Sequence, residues 1–344
     1  MTFEISVAGT EFRFPCEANE SVLDAAQRAG LEIPFSCRKG VCGTCKGRLV
    51  SGEARAFAGD ALGAADRAEG NVLFCNARPR SDLVIAPRSI SKANPFARKI
   101  TAARVFRLQR LAPDVMLVHL RFPAGIRVKF KAGQHLNLIL DNGERRDFSM
   151  ANPPRESDGA QLHIRHVPGG AFTSYVFDGL KRGDILKTEV PFGDFTLRDS
   201  DKPIVFVAGS TGFAPIASII QDMAIRGVKR DITLYWGARQ RSGLYSTLPE
   251  KWAAENPRFK YVPVLSDTPE ESFRHNLVHR AILEDHPSLA GFQVYVCGVP
   301  VMTQAARNEF IAAGLPESEF FADAFVTRAE RSLNIIGIDS RAAR

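Results

Sequence analysis

The stretch Phe35–Gly47, FSCRKGVCGTCKG, spaces three cysteines as Cys37-x4-Cys42-x2-Cys45, and Cys75 follows after 29 intervening residues. Four thiolates at this spacing are the ligand pattern of a 2Fe-2S cluster. The chemistry explains the pattern. A tight loop must aim three thiolates inward, and backbone N–H groups must offset the negative charge on the sulfurs. Glycine at positions 40 and 43 lets the main chain come close without side-chain obstruction. The fourth ligand can come from elsewhere in the fold. A structural zinc site is the alternative, but zinc normally uses paired C-x2-C or C-x2-C/H-x3-H ligands, and only one such pair exists here. Cys16 and Cys297 lie outside the pattern, and Cys16 is read as a small core residue.

Working outward, the chain has 344 residues, enough for two or three domains with a substantial core. Hydrophobic residues at 45% and charged residues at 24% exclude a disordered or fibrous chain. The net charge of +7 is uneven. Residues 1–90 carry 11 Lys/Arg against 11 Asp/Glu, and the remainder 34 against 27. With no basic run interleaved with aromatics, nucleic acid is not expected as a partner. The diffuse basic bias suits anionic cofactors and an acidic docking face, or serves solubility alone. Apolar runs such as Ile204–Ala208 and Ile216–Ile220 are far short of the ~20 residues of a membrane helix, so no membrane association is expected. The opening MTFEISVAGTEF lacks a basic start and an apolar core, and the cysteine usage suits a reducing compartment. A cytoplasmic protein, monomeric in the free state, is the expectation.

The chain divides by pattern. Two alternating runs, Thr2–Val7 and Glu11–Pro15, predict a hairpin, and Ser21 caps a short helix closed by Gly30. Residues 91–98 lie in a polar, proline-containing linker (SISKANPFARK over 89–99). Five strand-like runs follow: Ala102–Leu108, Val115–Phe122, His135–Leu140, Gln161–His166 and Ile185–Val190, an antiparallel barrel signature. From Lys202 apolar strands alternate with helices. Ile204–Ala208, Ile232–Trp236, Tyr261–Leu265 and Gln293–Cys297 are the strands, and Pro215–Ile225 and Val301–Gly314 the clearest helices. That alternation means a parallel sheet wound with helices.

Residues 1–90 resemble a plant-type ferredoxin domain with a β-grasp fold. Arg146-Asp147-Phe148-Ser149 resembles the R-x-Y-S signature of the ferredoxin–NADP reductase superfamily, with Phe148 in place of tyrosine. The resemblance implies that the arginine grips the flavin pyrophosphate, that the ring lies against the isoalloxazine, and that the Ser149 hydroxyl faces the flavin N5. A guanidinium fork matches phosphate oxygens and a flat ring covers a flat ring. His163-Ile164-Arg165 and Gly170-Ala171-Phe172-Thr173 resemble the second flavin segment, with Thr173 where serine is usual. There the strand backbone meets the ring edge and a helix start holds the pyrophosphate. Taken alone, Arg146 is a surface arginine and Gly169-Gly170 a plain turn. The N-terminal position of the cluster domain implies FAD rather than FMN.

Ile204–Ala208 leads into Gly209-Ser210-Thr211-Gly212-Phe213-Ala214-Pro215, and the G-x-T-G-x-A-P run resembles the superfamily's NAD(P) pyrophosphate turn. A strand–Gly turn–helix unit presents N–H groups and a positive helix end to an anion. Gly209, Thr211, Gly212 and Pro215 are therefore candidate binding residues. The second strand ends at Gly237-Ala238-Arg239-Gln240-Arg241-Ser242, under the adenosine ribose in the family. An acidic residue there would bind the free ribose hydroxyls, and none is present. Gly237, Arg239, Arg241 and Ser242 leave NADH and NADPH both open. Cys297-Gly298-Val299-Pro300 resembles the C-G-x-P motif beside the nicotinamide, which makes Cys297 and Ser149 candidates for orienting hydride transfer, with Gly298 and Pro300 alongside. Phe325 is the candidate ring over the flavin, in a segment after which relatives end. Here about twenty residues follow.

Together these resemblances identify the chain as a member of the NAD(P)H-dependent reductase components of bacterial aromatic-ring oxygenases. The family implies a β-grasp ferredoxin domain (1–90), a linker (91–98), an antiparallel six-stranded FAD-binding β-barrel (99–199), a Rossmann-like parallel α/β nucleotide-binding domain (200–330) and a C-terminal tail (331–344). It implies FAD, a 2Fe-2S cluster held by Cys37, Cys42, Cys45 and Cys75, and NADH or NADPH. Electrons would pass from nicotinamide through FAD and the cluster to a separate terminal oxygenase, one for an aromatic carboxylic acid. The same relay serving a phenol-type hydroxylase or a deoxysugar dehydrase, and a redox sensor or carrier without turnover, are the competing readings.

Overall fold

A computed structural model of the chain describes residues 1–56, 61–93 and 98–325. The middle of the expected linker and the tail beyond Phe325 lie outside the described residues. The chain forms two compact units, Met1–Phe96 with Ala322–Arg344, and Ala97–Phe321.

In the first unit the expected hairpin forms, Thr2–Val7 antiparallel to Arg13–Glu17 with Ile5 opposite Phe14. The same strand pairs parallel with Leu83–Pro87, Ile5 opposite Leu83. Lys46–Ser51 and Asn71–Leu73 complete a five-stranded sheet in the order Arg13–Glu17, Thr2–Val7, Leu83–Pro87, Lys46–Ser51, Asn71–Leu73. A parallel pair needs a crossover connection, and the helix Val22–Arg28 lies within it. Ser21 caps that helix by accepting from the Asp24 N–H at 3.1 Å, and Val22, Leu23, Ala25 and Ala26 face the core. Gly30 ends it at φ +74°. Within the stretch read as a linker, Ser91–Lys92 pairs with Leu31–Glu32.

The second unit holds two sheets. The antiparallel one orders Arg145–Ser149, His135–Ile139, Ile185–Phe192, Lys99–Ala112, Val115–Arg121 and Gly159–Arg165. Its inner face buries Val105, Val118, Leu120, Leu136, Leu138, Leu162 and Val190. The expected six strands are present, but among the described residues the barrel is not closed. The end strands meet only at a single bridge, Met150 to Leu162. The reason is local: Pro153 and Pro154 come three and four residues after Met150, and two residues without N–H groups cannot extend a ladder.

The parallel sheet runs Arg274–His275, Phe259–Leu265, Ile232–Ala238, Ile204–Gly209, Gln293–Gly298. Ile204–Ala208 is buried throughout, as a fully apolar run in the middle of a covered sheet must be. Helix Phe213–Arg226 follows it and stops at Gly227 in the left-handed conformation, φ +67°. Helix Pro300–Ala312 begins with proline at its first position, where the missing N–H is not needed. Ser218 donates to the Asn152 carbonyl at 2.7 Å and Gln221 to the Ala151 carbonyl at 3.0 Å. The helix that follows the glycine turn is thereby fixed to the chain leaving Arg145–Ser149.

Candidate functional site

The four thiols Cys37, Cys42, Cys45 and Cys75 are all buried in the first unit. Three come from the loop ahead of Lys46–Ser51, and the fourth from just after Asn71–Leu73. Positive φ at Arg38 (+56°), Gly40 (+79°) and Gly43 (+75°) winds the loop tightly. Sequence reasoning anticipated the two glycines and missed Arg38. Its guanidinium pairs with Asp24 at 3.0 Å, bonds to Gln27 and lies 4.3 Å over the Phe35 ring, so the side chain pins the unusual backbone.

The thiols are arranged in hydrogen-bonded pairs, Cys37 with Cys42 and Cys45 with Cys75. Cys42 is pushed down to about 6, first by the Cys37 hydrogen bond and then, against burial, by the Thr44 hydroxyl and N–H. Burial holds Cys37 well above the usual thiol range, and the hydrogen bond with Cys45 does the same for Cys75. The Lys39 N–H donates to Cys37 Sγ at 3.3 Å. Among the described residues no three His, Cys, Asp or Glu side chains are gathered to hold one metal ion. Four buried sulfurs facing one another, with N–H and O–H donors aimed at them, fit a two-iron cluster. Ser36, just before the first thiol, donates to Asp323 at 3.0 Å within the same unit. Lys46, just after the third, pairs with Asp66 at 2.9 Å, both largely buried. Phe325 is half-buried at the end of the described chain and is grouped with this unit.

In the second unit Arg146, Asp147, Phe148 and Ser149 lie opposite Leu138, Asn137, Leu136 and His135. Arg146 is held by Glu144 at 2.6 Å, Ser149 is buried, and the Phe148 ring sits 5.7 Å from that of Phe172. On Gly159–Arg165, Ile164 belongs to the core and Arg165 pairs with Asp114 at 2.7 Å. Gly170 caps helix Ala171–Asp178. The Thr173 hydroxyl closes that turn, donating to the Gly170 carbonyl at 3.1 Å and accepting the Val167 N–H at 3.1 Å. The structure thus employs this hydroxyl inside the turn. The half-buried His163 bonds the Tyr245 hydroxyl through Nδ1 at 3.1 Å, and burial pushes it down to about 4, so the ring is neutral near pH 7.

At the carboxyl ends of the parallel strands the structure gathers Gly209, Thr211, Gly212, Cys297 and Gly298. A Cβ on Gly298 would stand 3.2 Å from the Gly209 Cα, and one on Gly212 would stand 2.0 Å from the Cys297 carbonyl oxygen. Glycine is needed here so that two strand ends can touch. Pro215 is buried in the first turn of helix Phe213–Arg226, and Gly237 packs on Val278. This crevice beyond a parallel sheet is where such folds take dinucleotides.

Arg239, Arg241 and Ser242 are exposed, and the Arg241 guanidinium lies over the Phe273 ring at 5.5 Å. The turn itself lacks an acidic residue, as its sequence shows, but the loop leaving the neighbouring strand Phe259–Leu265 supplies one. The Ser266 and Asp267 N–H groups donate to the Ala238 and Arg239 carbonyls at 3.0 and 3.1 Å. Asp267 is therefore placed alongside the turn. Only the register of Phe259–Leu265 against Ile232–Ala238 reveals this, and no local spacing signals it.

Family models match in the expected order: the 2Fe-2S iron-sulfur cluster binding domain over residues 5–80, the oxidoreductase FAD-binding domain over 102–197, and the oxidoreductase NAD-binding domain over 206–308. The chain is 45% identical over 334 residues to reductase component 2 of terephthalate 1,2-dioxygenase from Comamonas sp, covering 95% of this chain and 98% of that one. It is 35% identical over 327 residues to the CDP-6-deoxy-L-threo-D-glycero-4-hexulose-3-dehydrase reductase of Yersinia pestis, covering 95% and 99%. Among solved structures it is similar to the Amycolatopsis cytochrome P450 reductase GcoB, with a TM-score of 0.75 and 34% identity over 95% of this chain and 99% of that one.

Proposed function

The chain belongs to the family of reductase components that join a plant-type ferredoxin domain to FAD- and NAD-binding domains, and from that premise we propose that it feeds the terminal oxygenase of a Rieske dioxygenase acting on an aromatic carboxylic acid such as terephthalate. As a family member it is an NAD(P)H-dependent oxidoreductase. A flavin held at Arg146, Phe148 and Ser149 would supply hydride acceptance, and a cluster held at Cys37, Cys42, Cys45 and Cys75 would supply one-electron transfer. The choice of acceptor rests on the 45% identity to the terephthalate reductase component over nearly the whole chain. The 35% identity to a deoxysugar dehydrase reductase supports that acceptor as the second reading. Stopped-flow mixing of the reduced protein with each acceptor separates them.

The chain's own residues divide the work. Cys37, Cys42, Cys45 and Cys75 hold the iron, with the Lys39 N–H and the Thr44 donors stabilising thiolate charge. Arg146 would grip the flavin pyrophosphate, Phe148 would cover the ring and the hydroxyl of the buried Ser149 would serve the N5 side. Backbone N–H groups at the start of helix Ala171–Asp178 and in the Ser210–Gly212 turn receive the two pyrophosphates. Cys297 and Gly298 line the nicotinamide end. Asp267, beside the Arg239 turn, accepts from the adenosine ribose hydroxyls and disfavours a phosphate there, which makes NADH the preferred donor. By function we divide the chain into a ferredoxin domain over 1–90, extended by the paired Ser91–Lys92, a flavin domain over 99–199 and a nucleotide domain from 200 to 321.

The observation that carries this reading is the set of four buried, mutually facing thiols in a chain that also holds the glycine crevice. Its test is Cys42→Ser. NADH-driven cytochrome c reduction is expected to vanish while ferricyanide reduction through the flavin persists. Retained cytochrome c reduction would show that electrons leave without the cluster.

A further inference from the structure

We propose that Trp236 is a positioning residue for the dinucleotide: its indole N–H holds the Ser210–Gly212 turn in the strained conformation that receives the pyrophosphate. This rests on the reading of Gly209–Pro215 as the NAD turn. Ser210 has φ +50°, a left-handed conformation that a non-glycine residue adopts only when its surroundings impose it. The surroundings here are specific. Trp236 is fully buried at the end of Ile232–Ala238, and its Nε1–H donates to the Ser210 carbonyl at 3.0 Å. A buried indole needs a partner for its one donor, and the turn carbonyl is that partner.

The indole is itself immobilised. It stacks on Phe213 at 4.1 Å with the planes 13° apart, and Tyr245 packs edge-on at 5.0 Å. Phe213 opens the helix that follows the turn, so a single ring pair fixes both the helix start and the carbonyl ahead of it. The direction of the bond matters. In a planar trans peptide the C=O and N–H point opposite ways. Drawing the Ser210 carbonyl onto Trp236 turns the Thr211 N–H the other way, off the side of the turn facing the indole. The bond therefore converts the packing of a core aromatic into the orientation of an anion-binding N–H.

The test separates binding from chemistry and from folding. Trp236→Phe keeps a ring in the stack and deletes the donor. Its KM for NADH and its Kd for NAD+ by calorimetry are expected to rise about tenfold (~1.4 kcal/mol), with kcat and FAD content within about twofold of wild type, because only uniform binding is lost. A merely structural role lowers the active fraction and leaves KM in place. Adding Ser210→Gly should recover most of the affinity, since glycine adopts positive φ without support. Adding Ser210→Ala, which loses the hydroxyl but keeps the strain, should not. Should Trp236→Phe fail to fold, Ser210→Val in the wild-type background serves instead, raising the cost of the left-handed turn and raising the Kd for NAD+ by calorimetry. Wild-type affinity in Trp236→Phe or Ser210→Val, or equal rescue by glycine and alanine, overturns the proposal. Failure of the wild-type holoenzyme to bind NAD+ overturns the reading beneath it as well.

Discussion

Gly212→Ala asks whether the glycines of the dinucleotide crevice serve ligand or fold. Gly212 has φ −58° and ψ −13°, an ordinary right-handed conformation that alanine adopts without strain. At such positions Gly→Ala normally stabilises by about 0.4–1 kcal/mol through the unfolded state. Here the new Cβ would lie 2.0 Å from the Cys297 carbonyl oxygen, 2.5 Å from its carbon and 3.0 Å from the Gly298 nitrogen. The obstacle is backbone, in a strand paired along its length with Ile204–Gly209, and it cannot swing aside. The cost therefore falls at the upper end of the overpacking range, roughly 2–3 kcal/mol. Gly209→Ala is the control. Its Cβ would meet the Met302 sulfur at 2.6 Å and the terminal methyl at 3.1 Å, the far end of a flexible side chain, so it should cost under about 1 kcal/mol. Both tryptophans of the chain, Trp236 and Trp252, lie in the second unit, so their fluorescence follows its unfolding alone. At ~2–4 °C per kcal/mol for a unit of this size, Gly212→Ala should lower its midpoint by roughly 4–12 °C and Gly209→Ala by much less. Equal midpoints for the two variants, or a Gly212→Ala midpoint at the wild-type value, would refute the argument that a carbonyl enforces this glycine.

Two further outcomes are expected. Asp267→Asn should shift the NADPH-to-NADH ratio of kcat/KM upward by about 10–100-fold, since a carboxylate ~6 Å from a phosphate charge opposes it by about 2–3 kcal/mol at an effective dielectric of 20; a ratio unmoved in initial-rate assays removes Asp267 from the ribose site. Burial pushes His163 from 6.5 down to about 4, so between those values the folded state binds fewer protons than the unfolded. The stability it preserves is intact above pH 6.5 and lost as pH falls towards 4, by up to ~3 kcal/mol. His119, His279 and His286 are lowered in the same direction by burial. His163→Gln should therefore flatten the urea midpoint between pH 6.5 and 4 without abolishing its slope, and an unchanged slope would place His163 outside that titration.

What the sequence made legible was whatever is written in local spacing. The cysteine loop announces its chemistry because three of four ligands fall within nine residues of chain. Ser21, Gly30 and Gly227 mark helix ends because caps act on residues three or four away. Five strands of the antiparallel sheet and four of the parallel one follow from period and apolar content, while the polar edge strands Arg145–Ser149 and Arg274–His275 do not. What stayed hidden depends on neighbours distant in sequence. Arg38 looks like a surface charge until Asp24 and Phe35 are seen to hold it. The open barrel edge was written locally, in Pro153 and Pro154, yet five strand-like runs drew attention from it.

The glycine crevice shows why such motifs carry two meanings at once. Read along the chain, Gly209 and Gly212 are residues that let a phosphate near the backbone. Read across the sheet, Gly212 and Gly298 let the turn and the ends of Ile204–Gly209 and Gln293–Gly298 touch, Gly212 against the Cys297 carbonyl and Gly298 against the Gly209 Cα. The two meanings are one requirement. A crevice tight enough to present N–H groups to an anion has to bring its two walls within contact, and a side chain on either wall would hold them apart. Of the two residues between Gly209 and Gly212, Ser210 is the one held at positive φ, +50°, and an indole from the next strand supports it from outside. Ligand geometry in this unit is therefore set by strand register, through Trp236 on one side and Cys297 on the other, and the motif residues are where that register becomes visible in sequence.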